Sequence, residues 1–397
     1  VFFYSLATIC IFLTITQTFF QNNLFTLCHL IYTDTFYMKR KWIRRVSWIL
    51  LTPVLLFVIL MILLYIPPVQ NLLRREVTAY ASKATGMQIQ VERIDLRFPL
   101  NLLVRGVEVI QQPDTLLSLE SLNVRVQAWP LIKGKVEVDE VTLSRVAVNS
   151  ADLMEGMNIK GVLGRFFLQS HGVDLSNELA VINQVELSDT HVQLLMNDTT
   201  TTPKDTTASA PINWKVALHQ LKLKNVSFSM QLPADSMRMA AHIGEAAIDD
   251  AQADLKNQYY DLKKFLLSGT SVSYDTGTAQ PAEGFDASHI AVRDIRIALD
   301  SLLYKGRDMN AVIREFTMNE RSGLSVTSLT GRAYSNDSVI CVPGLKLNTP
   351  HSEIDLSAHT YWELVNIPTT GRLSARLNAY IGKEDVMLFA GGLPESF

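Results

Sequence analysis

The segment IQVERIDLRF (residues 89–98) carries the pattern on which the fold depends. Apolar residues occupy positions 89, 91, 94, 96 and 98, and the polar pair Glu92-Arg93 interrupts their alternation once. Alternation with a period of two is typical of a β-strand that has one apolar face. A three-residue step turns that face over unless the strand absorbs an extra residue in a β-bulge. The segment therefore predicts a bent strand whose apolar side chains stay on one side.

The same ten-residue pattern recurs along the chain. Clear copies begin at Leu117, Leu221 and Ile290, and looser copies begin at Leu102, Val141 and Val185. We expect bulges at the central polar pairs Glu92-Arg93, Glu120-Ser121, Ser144-Arg145, Ser188-Asp189, Lys224-Asn225 and Arg293-Asp294. The repeats predict bent strands that present their apolar faces to a common space. The residues expected to line it are Ile89, Val91, Ile94, Leu96, Phe98, Leu117, Leu119, Leu122, Val124, Val126, Val141, Leu143, Val146, Val148, Leu221, Leu223, Val226, Phe228, Ile290, Val292, Ile295, Ile297 and Leu299.

Composition limits the classes of partner. The chain has 397 residues, of which 48% are hydrophobic, and a formal net charge of −3. This near-neutral balance argues against nucleic-acid binding, which requires a concentrated basic face. The three cysteines, Cys10, Cys28 and Cys341, have no spacing typical of a metal site or a disulfide framework. We expect no metal and no cofactor.

Residues 46–66 form an uncharged apolar run. A helix of that length covers roughly 30 Å, the thickness of a bilayer core. Five Lys and Arg residues lie within residues 38–45, immediately before the run. The positive-inside rule therefore predicts a single anchor with its N-terminal flank in the cytoplasm. The alternative is a cleaved signal peptide, but the run exceeds the usual length of a signal-peptide core, so we favour the anchor.

The segments on either side of the anchor lead to separate predictions. The chain starts with Val1, whereas Met38 opens the basic segment, so we interpret residues 1–37 as translated from upstream of the true start. The alternative is a second apolar span. Residues 67–86 have apolar residues at helical spacing and end in Gly86, which predicts a short amphipathic helix.

Residues 87–397 read as one β-rich region. Apolar spacing over residues 151–172 predicts a helix laid over the sheet. The polar, threonine-rich residues 197–211 predict a flexible loop between strands, because the strand pattern continues on both sides. The last clear strand, over residues 373–381, is expected to leave an open sheet edge.

No catalytic motif stands out in the sequence. The eight histidines form no helical ligand pair, and neither a nucleophile elbow nor a phosphate-binding glycine loop is present. Carboxylate pairs such as Asp249-Asp250 and Glu384-Asp385 are more often solvated turn residues than acid–base pairs. We expect a structural or carrier protein rather than an enzyme.

Residues 40–150 resemble the N-terminal part of the AsmA-like superfamily, and most closely its TamB branch. The resemblance lies in the single anchor, Thr85-Gly86 before the first strand, the hairpin over residues 89–110, and WPLIKG (residues 129–134) before the next strands. It implies a mainly β protein: an anchor in the inner membrane of a two-membrane bacterium, then an elongated, twisted, groove-shaped antiparallel β-sheet in the periplasm with one or two short helices.

The resemblance also implies a function. Members of this superfamily are implicated in moving phospholipid between membranes and in outer-membrane homeostasis, so the apolar groove would shield acyl chains. TamB-like members also partner an Omp85-type outer-membrane barrel, which gives the alternative of a factor that aids outer-membrane protein insertion or protein secretion. TamB-like members are much longer than 397 residues, so we interpret this sequence either as a fragment or as a shorter relative without the C-terminal region that engages the barrel. From the residues alone, an open trough and a closed sandwich remain equally compatible with the pattern.

Overall fold

The protein is mainly β. The computed structural model describes residues 65–97, 100–111, 114–127, 137–150, 156–174, 178–197, 213–366 and 371–389, together with the isolated residues 48, 51, 52, 55, 59, 62 and 130. The strands are β1 Gln88–Arg97, β2 Asn101–Gln111, β3 Asp114–Val126, β4 Val138–Asn149, β5 Met157–Asp174, β6 Leu179–Met196, β7 Lys215–Leu232, β8 Met237–Asp254, β9 Tyr259–Asp275, β10 His289–Lys305, β11 Asp308–Glu320, β12 Ser325–Val326, β13 Ser328–Ser335, β14 Val339–Asn348, β15 Glu353–Tyr361 and β16 Leu373–Tyr380. The helices are α1 Pro67–Thr85, α2 Trp362–Asn366 and α3 Lys383–Phe389, with a 3-10 turn at Pro233–Asp235.

The chain divides into two compact units, residues 1–141 and 142–397, and the division falls within β4. In unit 1, β1, β2 and β3 form an antiparallel meander. Its register aligns apolar residues of all three strands, as in the set Ile94, Val104 and Leu122. The predicted amphipathic helix is confirmed as α1, which ends at Gly86 in the left-handed conformation.

Helix α1 contacts β1 and covers part of its backbone. The side chain of Arg74 donates to the carbonyl oxygens of Val91 and Glu92, and Gln70 donates to that of Leu96. Near the end of α1, the Ser82 hydroxyl accepts the backbone N–H of Ile89. An unpaired strand edge is a template for unwanted pairing. The helix therefore protects the edge of β1 through its side chains.

In unit 2, strands β5 to β16 form an open sheet in chain order, with β12 as a short side branch on β11. Strands β5 to β10 each contain 17 or 18 residues. Strands in globular proteins are usually 3–10 residues long. The prediction of a mainly β protein built on a long sheet is confirmed.

One pair of strands departs from the antiparallel prediction. Strands β6 and β7 are parallel, with Leu179 opposite Lys215 and Leu195 opposite Gln231. A parallel pair requires a connection that returns to the starting end of the sheet. The polar segment over residues 197–211 supplies that connection; residues 198–212 lie outside the described residues.

The predicted helix over residues 151–172 is wrong. Residues 157–174 form β5, which pairs with β6 along its whole length. The apolar residues read as helical are another copy of the strand pattern, with Leu163 and Phe166 on either side of Gly164-Arg165. The glycine concealed the repeat, because it occupies the place that a polar residue holds in the other copies.

Left-handed residues lie at the centre of the pattern. Arg145, Asp189, Asn225 and Asp294 have φ angles of 46°, 51°, 53° and 56°. Each is the second member of a predicted polar pair. A left-handed residue changes the alternation, so that side chains three positions apart return to one face. In unit 1 the positive φ lies instead at Gly106 of β2, opposite Glu92 of β1.

Most of these positions are not the single-strand bulges that the sequence predicted. In the ladder between β7 and β8, the pair Lys224–Glu245 is followed directly by the pair Val226–Ile243. One residue on each strand, Asn225 and Gly244, is therefore skipped, and the register is the same on both sides. In β10, by contrast, a shift in register marks a true bulge next to Asp294. Neighbouring strands therefore each carry an extra residue at the same level.

The matched extra residues bring backbones close together. A Cβ atom at Gly244 would lie 2.8 Å from the carbonyl oxygen of Gly269, and one at Gly164 would lie 2.7 Å from the Cβ atom of Asp189. The Asn225 side chain also donates to Asp189 across the parallel pair, at 2.8 Å. Glycine at positions 164 and 244 therefore leaves room for the neighbouring strands at this level.

Helix α3 closes one end of the sheet in unit 2. Its buried Asp385 accepts hydrogen bonds from the hydroxyls of Ser352 and Thr349, in the turn between β14 and β15. Its last residue, Phe389, lies 5.4 Å from Phe285 between ring centres. The helix thus links the loop before β10 with the turn before β15.

That end of the sheet holds two carboxylates in the ionised form. Backbone N–H groups of Ala282 and Ser288, and then the ring of His289, hold the pKa of Asp286 at about 2. The hydroxyls of Ser352 and Thr349 lower the pKa of Asp385. Both carboxylates favour the folded form above the acid range.

Several predictions concern residues that the structure does not describe. Most of residues 38–66, and with them most of the predicted anchor, lie outside the described residues, as do all of residues 1–37 and Phe98. Among the described residues, no helix combines the length and the apolar character of a membrane span. The anchor stays a prediction.

Two glycine variants test the close approach between β8 and β9. We expect Gly244→Ala to reduce the free energy of unfolding by about 1–3 kcal/mol, because its Cβ atom would overlap backbone atoms. Gly344→Ala in β14 is the control, since no atom lies within 4 Å of its added Cβ, and it should be neutral or slightly stabilising. Urea unfolding measures both. Equal stabilities would contradict the matched-residue arrangement.

The Asp385 contacts predict a pH-dependent attachment of α3. Because folding lowers the pKa of Asp385, its stabilising effect is complete above the ordinary value of 3.8 and is lost as the pH falls through the lowered pKa. We expect Asp385→Asn to speed amide hydrogen exchange of α3 at pH 7, with the difference from the wild type shrinking below about pH 3.8. Lys383→Gln, at an exposed neighbour in α3, should leave exchange unchanged. A difference independent of pH would exclude this role of the carboxylate.

Candidate functional site

An unbroken row of apolar residues crosses the sheet of unit 2. Cross-strand pairing links one residue of every main strand from β5 to β16, eleven strands in total among the described residues. This apolar row consists of Leu168, Val185, Leu221, Ile248, Phe265, Leu299, Ile313, Gly331, Leu345, Leu356 and Leu377. At about 4.8 Å between strands, the row measures roughly 48 Å along the sheet.

A second row lies beside it, two residues away in each strand except β11, where a shift in register makes the separation three. It consists of Phe166, Leu187, Leu223, Ala246, Leu267, Ile297 and Phe316, from β5 to β11. Residues two apart in a regular strand point to the same side. The two rows therefore form one apolar face, called the apolar face below. Neither row contains a charged residue.

The left-handed residues extend this face beyond the two rows. On the other side of Asn225, the pairs Val226–Ile243 and Phe228–Ala241 continue the apolar set between β7 and β8. Without the inversion at Asn225, Val226 would lie on the face opposite to Leu223. The left-handed residues at the polar pairs therefore determine how far the apolar face extends along each strand.

Side chains of the apolar face remain partly in contact with solvent. Phe228 and Val272 are each 37% exposed, and Tyr260 and Leu302 are exposed as well. The apolar residues of unit 2 that are fully buried are few and small among the described residues: Ala180, Ala246, Ala298 and Val326. A filled core buries its large aliphatic side chains almost completely. The face therefore lacks the packing of a closed sandwich.

No second layer covers the apolar face within the described part of unit 2. Among the described elements of unit 2, each strand packs mainly against the strands next to it in the sheet. Helix α2 packs mainly against β15. Helix α3 makes its hydrogen bonds with loops at the end of the sheet. In the described part of unit 2, the strands thus form an open sheet rather than a closed sandwich.

The opposite face is polar and carries the charges. Lys222 and Lys224 of β7 lie there, with Glu245 of β8 opposite Lys224. A surface pocket of about 620 Å³ also lies on this side, with Lys263, Lys305 and Arg332 among its lining residues. Asp261 pairs with Lys263 at 2.7 Å within it. The charged groups leave the apolar face free of ionic contacts.

Cross-strand pairing places most of the predicted lining residues in two groups, one in each unit. In unit 1, Ile89, Val91, Ile94 and Leu96 align through β2 with Leu117, Leu119, Leu122 and Val124. In unit 2, the predicted residues of β7 and β10 lie on the apolar face, joined through β8 and β9. Strand β4 contains Val141, Leu143, Val146 and Val148 around the left-handed Arg145. That these residues line a groove for a ligand stays a prediction.

Sequence reasoning missed the contributions of β5, β8 and β9. Strand β8 follows the pattern with Ile243 and Ala246 around Gly244-Glu245, and β9 follows it with Phe265 and Leu267 before Gly269. Alanine and glycine obscure the repeat in these strands. A search that accepts Ala as apolar and Gly as a central residue finds them.

The comparisons with known proteins add no family. No protein-family model matches the chain, and no curated protein matches it.

Two valines test whether the apolar face is open. We expect Val326→Ala to lower the free energy of unfolding by about 2 kcal/mol, because Val326 is only 8% exposed. The same change at Val272, which is 37% exposed, should cost less, about 1 kcal/mol. Urea unfolding of both variants measures the difference. Equal losses would show that protein packing fills the face.

Proposed function

We propose that this protein is a membrane-anchored carrier that shields the acyl chains of phospholipids on its apolar face. In this proposal the chain is held by residues 46–66 in the inner membrane of a two-membrane bacterium, and its β-sheet lies in the periplasm. The observation that carries the proposal is the apolar row, which continues across eleven strands of the described residues and stays partly exposed. The resemblance of residues 40–150 to the AsmA-like superfamily supports it.

The dimensions of the face suit an acyl chain. The hydrocarbon core of a bilayer is about 30 Å thick, so the chain of one lipid extends over about 15 Å. The apolar row, at roughly 48 Å, is longer than one such chain. Several lipids could therefore lie along the sheet in succession, which is the arrangement that a conduit requires.

The strength of binding also suits a carrier. A methylene removed completely from water contributes about 0.8 kcal/mol, and contact with one face removes roughly half of that. Ten methylenes on the face would thus contribute about 4 kcal/mol, which corresponds to a dissociation constant near 1 mM. Weak binding at each position allows a lipid to move along the row and leave it.

Lipid binding to the sheet leaves its backbone undisturbed. Buried peptide groups must be hydrogen-bonded, and those of the long strands pair along the sheet. Acyl chains cannot accept or donate hydrogen bonds, so they need no polar partner on this face. The absence of charge from the two apolar rows fits this requirement.

Photo-crosslinking at neighbouring positions of β7 tests the proposal. A crosslinking amino acid in place of Phe228 should capture phospholipid when the full chain is expressed in a two-membrane bacterium. The same amino acid in place of Ser229, the next residue and on the opposite face, should not. Mass spectrometry of the crosslinked protein identifies the adduct. Protein adducts alone at Phe228, or equal lipid capture at both positions, would overturn the proposal.

A further inference from the structure

The polar face of unit 2, opposite to the apolar face, holds a pocket that the proposed function does not use. Its volume is about 620 Å³, and it lies across β9, β10, β11 and β13. Sites for small molecules typically measure roughly 300–1,000 Å³. Tyr259 of β9 and Tyr334 of β13 line its two sides, on strands that lie roughly 14 Å apart. The pocket is therefore large enough for a small organic molecule rather than for a single ion.

Cross-strand pairing places the side chains of this pocket on one face. Asp261, Leu303, Asn310 and Tyr334 are opposite one another in four neighbouring strands. Lys305 follows Leu303 by two residues in β10, and side chains two apart in a regular strand point to the same side. The hydrogen-bonded ladder of the sheet thus fixes the positions of these groups, which favours a defined binding geometry.

Arg332 is held in place while part of its guanidinium group stays free. Its Nε atom donates to the side-chain oxygen of Asn310 at 3.0 Å, and its guanidinium carbon lies 5.1 Å from the centre of the Tyr334 ring. Asn310 in turn donates to the hydroxyl of Ser301 at 3.1 Å. The terminal nitrogen atoms of Arg332 have no hydrogen-bond partner among the described residues. Such a planar fork of donors matches the oxygen atoms of a phosphate group.

The pocket keeps positive charge after its internal ion pair is counted. Asp261 accepts hydrogen bonds from the ammonium group of Lys263 at 2.7 Å and from the hydroxyl of Tyr259 at 3.3 Å. These contacts offset the charge of Asp261. Lys305 and Arg332 are exposed and have no ion pair with any described residue. An anionic ligand in the pocket would therefore lie between two unpaired cations.

A second carboxylate places a further requirement on the ligand. Asp308 is half-buried and lies opposite Lys305 in the β10–β11 ladder, but the two side chains form no ion pair. Its oxygen atoms can accept hydrogen bonds from hydroxyl groups, whereas they repel a second anionic group. The rings of Tyr259 and Tyr334 add flat apolar surface beside these polar groups. The lining therefore suits a ligand with one anionic group and several hydroxyl groups.

We propose that this pocket binds a small phosphate ester of a polyol or sugar. The terminal nitrogens of Arg332 would donate to the phosphate group, and the ammonium group of Lys305 would offset its remaining negative charge. Hydroxyl groups of the ligand would donate to Asp308. The same chemistry occurs in free polyol phosphates and in the headgroups of some glycerophospholipids. The sheet separates this pocket from the apolar face, so the inference does not depend on lipid binding there.

Ligand-observed NMR on the full-length chain in neutral detergent micelles tests this site. The probes are sn-glycerol 3-phosphate and glycerol, each detected by saturation transfer from the protein. We expect glycerol 3-phosphate to bind at least about tenfold more tightly than glycerol, because hydrogen bonds to a charged group are stronger than those between neutral groups. Equal binding of the two probes, or no binding of glycerol 3-phosphate, would overturn the proposal.

A lipid added to the micelles distinguishes the two sources of the phosphate ester. If phosphatidylglycerol displaces glycerol 3-phosphate and the same amount of phosphatidylcholine does not, the site accepts a lipid headgroup. If neither lipid displaces it, the site accepts a soluble ester. Either result leaves the phosphate site intact, and neither bears on the capture of acyl chains at Phe228.

Two variants and a matched control connect the binding to this pocket. Arg332→Gln and Lys305→Gln each remove one positive charge, so each should raise the dissociation constant of glycerol 3-phosphate about tenfold. Lys222→Gln removes an exposed lysine from the same polar face, on β7 outside the pocket, and should leave the constant unchanged. Urea unfolding checks that all three variants are folded. Binding that survives both pocket variants, or that weakens equally in Lys222→Gln, would show that the ester does not bind in this pocket.

Discussion

The orientation of the backbone at single left-handed residues governs the rest of this structure. A β-strand sends successive side chains to opposite faces, so a strand with two adjacent polar residues in an apolar repeat would divide its apolar set between both faces. Asn225 and Asp189, at φ angles of 53° and 51°, restore the alternation beyond the pair. Strands of 17 or 18 residues can thereby keep one apolar face, which no uninterrupted strand with this sequence could do.

Matching these residues between neighbouring strands is what keeps the sheet continuous. A bulge on one strand shifts the ladder by one residue, and a sheet with several unmatched bulges would lose its apolar rows. In β7 and β8 the extra residues Asn225 and Gly244 face each other, so the pairing resumes in the same register. The requirement for glycine at one of the two positions follows from the 2.8 Å that a Cβ atom would leave to Gly269.

Sequence reasoning succeeded where the repeat was intact and failed where small residues replaced its members. The strands that begin at Ile89, Leu221 and Ile290 were predictable because large aliphatic residues alternate there without ambiguity. Strand β5 was mistaken for a helix, since Gly164 removed the polar signal at its centre. The parallel pairing of β6 with β7 could not be predicted, because a polar connection of this length can serve a hairpin or a return along the sheet equally well. The protected edge of β1 depends on long-range contacts of Arg74 that no local pattern encodes.

An architecture in which each strand contacts mainly its two neighbours has the energetics of a repeat protein. Stability then accumulates from strand to strand, and the outermost elements decide whether the assembly stays soluble. Helix α1 meets this need at β1 by giving the strand partners for its carbonyl groups. At β16 the exposed Leu373 and Leu377 meet no such element among the described residues, so the cost of their exposure persists until something covers them. The same reasoning applies to the apolar face, where Phe228 and Val272 stay partly hydrated. A ligand that covers them stabilises the folded form, and the stabilisation grows with the logarithm of the ligand concentration above the dissociation constant, so ligand binding and folding stability are coupled in this sheet.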